Sequence, residues 1–214
     1  MQFREKSWAA AAFILSTALH MQLFAQSDRG AAWLLRYQGN PAHALPSVNA
    51  LIQDKNFLPF LNDRLKMSQH FWKPGEPVSQ VVKDYLAVPG DVLTDGTTYY
   101  MADGCVQHFC PNKGLLWVDL TTSPATVVFA ATDMMKNSNQ WSLYLFTSGN
   151  LSPATMPQSL RAGITRWTSK PLGDGHTIEP IGEAIVIDGE GMEHRPTPLS
   201  LGVNEIASRD KAVQ

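Results

Sequence analysis

Residues 97–120 read TTYYMADGCVQHFCPNKGLLWVDL. Two β-rich runs, TTYYMA and GLLWVDL, flank a loop that carries the chain's only two cysteines, Cys105 and Cys110, with His108 between them. Two more such runs, ATVVFAAT and QWSLYLFT, follow after short stretches of turn formers. The gaps between the four runs are too short to hold crossover helices. Residues 97–147 therefore read as consecutive antiparallel strands, with the cysteine loop joining the first two.

On the N-terminal side the texture is helical. In residues 27–72, AAWLLRY and SVNALIQDKNFLPFLNDRLKM place apolar residues three and four apart, with interruptions expected at Pro46 and Pro59. KPGEP at residues 73–77 reads as a linker or turn. On the C-terminal side, residues 159–167 suggest a helix and EAIVID a strand, and the residues after Val203 form a polar tail expected to be disordered. The expected fold class is α+β, a central antiparallel sheet with flanking helices, built as one domain over residues 26–203 with a tail at 204–214.

The first 25 residues are read as a secretory signal peptide. Arg4 and Lys6 precede an apolar run over residues 9–24, which His20 and Gln22 interrupt and which is too short to span a bilayer, and a small residue follows at Ala25. A secreted chain reaches an oxidising compartment, where Cys105 and Cys110 are expected to pair. Without the leader, Lys plus Arg falls from 17 to about 15 and Asp plus Glu from 19 to about 18, a net charge of about −3. That balance gives no electrostatic reason to bind nucleic acid or an anionic membrane, and favours a basic partner.

A disulfide across so small a ring contributes only about 2 kcal/mol to global stability in the chain-entropy account. Its larger expected effect is local: it removes loop conformers and turns Val106, Gln107, His108 and Phe109 outward in one fixed shape. Catalytic and metal readings of the same residues are weak. Zinc would need a fourth ligand from elsewhere, and His176 and His194 stand isolated in turn-rich sequence. Oxidation would consume a cysteine nucleophile, and the chain has no GxSxG, phosphate loop or HExxH. The expectation is a protein without catalytic residues, metal or cofactor. Trp117, Phe129 and Trp141 read as core. Tyr99 and Tyr100 point to opposite faces of a strand, so one can reach a binding surface. Asp103 and Asp119 are acids that can meet a cationic partner or simply be solvated.

The pattern Cys, two residues, His, one residue, Cys, set between a strand and the apolar run LLWVD, resembles the inhibitor of vertebrate lysozyme (Ivy) family. VVFA at residues 127–130, the Trp141 segment and, more loosely, residues 58–65 extend the likeness. The stretch after Pro153 lies outside it. The resemblance implies a periplasmic protein of a Gram-negative bacterium with a central antiparallel sheet and flanking helices. It also implies that the disulfide loop enters the cleft of a c-type lysozyme or related muramidase, with His108 as the inserted tip and Cys105 and Cys110 holding it. Well-known members carry lysine and proline before the histidine and a small acidic or amide residue after it. Here Val106, Gln107 and Phe109 occupy those places, which implies a less stiff loop and an apolar contact in place of a polar one. A second function class is a periplasmic binding or scaffold module that regulates the cell's own peptidoglycan-cleaving enzymes, such as lytic transglycosylases. The sequence leaves a homodimer open.

Overall fold

In the strand Phe109–Asp119, Leu115 and Trp117 alternate with Leu116 and Val118, and all four are buried. A strand covered on both faces loses the apolar–polar alternation of a half-exposed one, which is why LLWV reads as a continuous apolar run. The computed structural model describes residues 30–38, 44–136, 138–171 and 178–203. The leader at 1–25, the tail at 204–214 and His176 lie outside the described residues.

The core is a seven-stranded sheet in sequence order: β1 (Val88–Thr94), β2 (Tyr99–Val106), β3 (Phe109–Asp119), β4 (Val127–Met134), β5 (Trp141–Thr147), β6 (Ile181–Ile187) and β7 (Glu193–His194). All neighbours pair antiparallel except β5 and β6, which are parallel. The fold class is α+β, with a mostly antiparallel sheet between flanking helices. The first face carries Tyr100, Leu116, Val118, Phe129 and Phe146, and packs with a 3-10 helix (Ala31–Tyr37), α1 (Ala44–Gln53), α2 (Phe57–Arg64) and α3 (Val78–Tyr85). The second face carries Met101, Leu115, Trp117, Val128 and Leu145 beneath Leu160, Ile164 and Trp167 of α4 (Gln158–Thr168). A final 3-10 helix, Pro198–Leu201, closes that layer.

Several local features depart from the sequence reading. Pro46 and Pro59 do not interrupt helices; each lies in the first turn of one, α1 and α2, where backbone N–H groups have no intrahelical partner to lose. Helix stops at Arg64, well before residue 72. KPGEP is a turn inside the fold, where Gln69 Nε2 donates to the Lys73 and Glu76 carbonyls and Gln69 Oε1 accepts from Trp72 N at 2.9 Å. Trp117 and Phe129 are core residues as expected, and Trp141 packs half-buried against the second cluster.

Candidate functional site

The cysteine loop is a tight hairpin. β2 and β3 pair in register from Tyr99↔Asp119 to Cys105↔Lys113, and the ladder then shifts to Val106↔Phe109. Only Gln107 and His108 are left to form the turn. His108 has φ 65°, in the left-handed region that histidine enters more readily than most residues. The shift leaves Cys110, Pro111 and Asn112 as a bulge on β3, and Cys110 bonds back to Cys105 across it with Cα atoms 4.8 Å apart.

This register corrects one expectation about the displayed residues. Val106 does not point outward: it is buried against the first core face, because β2 runs through it and strand alternation places it on the same side as Tyr100 and Ala102. Gln107 and His108 are exposed, and Phe109 is 43% exposed. Val88, which pairs with Cys105 on the edge strand β1, is also exposed. Tyr100 is fully buried, and Tyr99 sits half-buried at the end of β2 farthest from the tip, so neither tyrosine belongs to this surface.

The base of the hairpin is held by groups that only the tertiary structure brings together. Gly104 and Gly114 face each other across β2 and β3. A Cβ on Gly104 would lie 2.7 Å from the Val88 carbonyl oxygen, and one on Gly114 would lie 2.7 Å from Tyr85 Cβ. The two glycines that bracket the loop thus let the end of α3 cross close over the sheet. In the bulge, Asn112 is buried, and its Nδ2 donates to Tyr85 Oη at 3.0 Å and to Asp133 Oδ1 at 2.9 Å. Lys113 N donates to Thr132 Oγ1, which in turn donates to the Pro111 carbonyl.

Two sets of charges lie under the same region. Lys113 Nζ is 2.8 Å from Glu179 Oε2, with both side chains buried, and no other donor among the described residues reaches the carboxylate. Burial pushes the Glu179 carboxyl above its usual range, and the Lys113 ammonium pulls against that shift. Asp103 is not a solvated acid. It is 3% exposed and takes Arg166 Nη2 at 3.1 Å and Lys170 Nζ at 2.6 Å. Asp91 joins the same two cations, and Lys170 and Arg166 hold its carboxyl below the usual carboxylate range. This network ties β1 and β2 to α4. Asp119 is engaged at the far end of the sheet, accepting from Thr121 N at 2.8 Å. Asp103 is thus not free to meet a partner, while Asp119 is engaged only by its local turn.

No protein-family model, curated protein or solved structure matches the chain. Among the described residues, no group of three His, Cys, Asp or Glu side chains is placed to hold a metal ion, and no helix is long and apolar enough to cross a membrane.

The hairpin's construction predicts how it responds to reduction. The ring spans few residues, and Val106 stays anchored in the core without it. Opening the disulfide is therefore expected to lower global stability by only about 2 kcal/mol. A partner that needs one tip conformation would then have to order Gln107, His108 and Phe109, at about 1 kcal/mol per residue, which weakens binding by roughly a hundredfold or more. Thermal melts and partner binding with and without reductant measure both effects. Collapse of the fold on reduction would contradict this division of labour.

Proposed function

We propose that this chain is a periplasmic inhibitor of a c-type lysozyme or related muramidase, acting by insertion of the hairpin tip into the catalytic cleft. The observation that carries the reading is the exposed His108 at the apex of a two-residue turn, with the strands on either side crosslinked by Cys105 and Cys110. Such a tip is narrow, protruding and already ordered, so a cleft can receive it without paying to fix its shape.

The chemistry of the imidazole suits that target. A retaining glycosidase of the lysozyme type works with two carboxyl groups about 5 Å apart, one protonated as general acid and one ionised. An imidazole has a nitrogen on each of two edges. When neutral it accepts from the protonated carboxyl and donates to the ionised one; when protonated it donates to both. In either state it occupies the place of the scissile sugar linkage. Phe109 then supplies apolar contact beside the tip, within an interface of ordinary size, about 1,600 Å² in total. Such an inhibitor needs no cofactor or metal and no catalytic residue of its own.

The test is retention of the protein on an immobilised c-type lysozyme, together with dose-dependent loss of lysis of a cell-wall suspension. Retention only on one of the cell's own lytic transglycosylases would replace this reading with that of an endogenous wall-enzyme regulator. Retention on neither would leave the hairpin without a wall-enzyme target.

A further inference from the structure

At the end of the sheet opposite the hairpin, β5, α4 and β6 form a strand–helix–strand unit with the two strands parallel. In parallel units of this kind, ligands bind outside the carboxyl ends of the strands, where the connecting loops separate. Here the loop after β5 and the loop after β6 enclose a cavity of about 580 Å³. That is within the range of small-molecule sites, roughly 300 to 1,000 Å³.

The walls are aliphatic: Leu151, Pro153, Val186, Met192 and Pro196. Among the described residues no Phe, Tyr or Trp lines the cavity, so it lacks a broad stacking platform for a sugar or a base. Polar side chains also line it, and the pair Asp188 and His194 is fixed in place. Asp188 is buried at the end of β6; Oδ1 accepts from Glu190 N and Met192 N, both at 2.9 Å, and Oδ2 lies 2.8 Å from His194 Nε2. This fixes the imidazole of His194 and, in its neutral form, leaves Nδ1 as an acceptor. Ser152 Oγ and Thr155 Oγ1 lie 3.0 Å apart and bond each other within their own loop, so neither is offered to His194 as a nucleophile. The dyad reads as a recognition element, with no hydrolytic partner.

Charge selects the ligand. Arg195 is held by Glu183 at 3.0 Å and Glu193 at 2.7 Å, while Glu190 lines the cavity with no ion-pair partner among the described residues. With Asp188 and Arg195 both engaged, the unpaired carboxylate of Glu190 gives the cavity its acidic character, which disfavours carboxylates and phosphates. We infer that the cavity between the β5 and β6 loops binds a small aliphatic amine, its ammonium held by Glu190 and the acceptor nitrogen of His194 and its alkyl body against Leu151, Val186 and Met192. This goes beyond the lysozyme reading and does not depend on it.

The probe is hexylamine, with hexanoate as a tail-matched anion, titrated at about pH 8 into isotope-labelled protein secreted from its full-length chain and followed by amide and methyl NMR signals. Hexylamine is expected to shift Leu151, Val186 and Met192 saturably and leave Gln107, His108 and Phe109 unmoved, with hexanoate weaker by about tenfold. Glu190→Lys, at an exposed loop position, is expected to reverse that order while the thermal melt stays at the wild-type value. Absence of saturable shifts at the three cavity residues overturns the site. Equal binding of both probes, or an order unchanged by Glu190→Lys, overturns the ligand class.

Discussion

Lys113→Met is expected to destabilise the fold by about 3 to 5 kcal/mol, because it leaves the Glu179 carboxylate buried without a cation. The Lys113→Met/Glu179→Leu double variant removes both charges and is expected to recover to within about 1 kcal/mol of wild type, since a buried pair gains little over apolar groups of similar volume. The single variant also has a pH signature. Burial already raises the Glu179 carboxyl, and losing Lys113 raises it further. A carboxyl whose folded pKa exceeds its unfolded value of about 4.3 weakens the fold fully above the folded pKa, and that penalty shrinks as pH falls from the folded pKa towards the unfolded one. The deficit of Lys113→Met should therefore be larger at about pH 8 than at about pH 5. Urea unfolding of the three proteins at both pH values measures this. A single variant within about 1 kcal/mol of wild type, or a double variant as weak as the single, would show that the pair does not anchor the hairpin base.

His108→Gly is expected to abolish most lysozyme inhibition while leaving the protein folded. Glycine is the substitution that isolates the side chain here, because φ 65° suits glycine and the turn is kept. Removing the imidazole deletes up to two hydrogen bonds to charged or polarised carboxyl groups, each worth about 1.5 to 3 kcal/mol, so inhibition should weaken by at least roughly a hundredfold. Phe109→Ala is the internal comparison: it removes apolar contact at the neighbouring exposed position and keeps the imidazole. It should weaken inhibition less. Titration of lysozyme activity with the three proteins, with thermal melts alongside, separates these effects. Phe109→Ala outweighing His108→Gly would move the energetic centre of the interface to the apolar residue.

What could be read from the sequence follows the range of the interactions. β2 to β5 were legible because each is a short apolar run bounded by turn formers, and the helix at Gln158–Thr168 and the strand at Ile181–Ile187 were visible for similar local reasons. α3 was not read, although Val78, Val81, Val82 and Tyr85 have helical spacing, because it follows directly on KPGEP. β1 is VPGDVLT, whose Pro, Gly and Asp are depleted in strands; as an edge strand with a shift between Pro89 and Val92 it tolerates them. At the site, the cysteine pair and the apex histidine were local signals. The inward side of Val106 follows from alternation with Tyr100 and Ala102 once β2 is seen to run past Cys105 to the turn. Asp103 looked like a surface acid because its cations, Arg166 and Lys170, lie 63 and 67 positions further on. Lys113 and Glu179 were hidden for the same reason. The Asp188–His194 cavity needed the parallel pairing of β5 and β6 before its loops could be seen to converge.

A hairpin that occupies the catalytic cleft itself competes with an oligosaccharide that fills that cleft. Immobilised c-type lysozyme is saturated with tri-N-acetylchitotriose, and binding of this protein is followed as the sugar concentration rises. Mutually exclusive binding is predicted, with the apparent affinity of the protein falling in proportion to cleft occupancy and recovering when the sugar is washed out. Undiminished binding to sugar-saturated lysozyme would place the contact outside the cleft and contradict the claim that His108 takes the position of the scissile linkage.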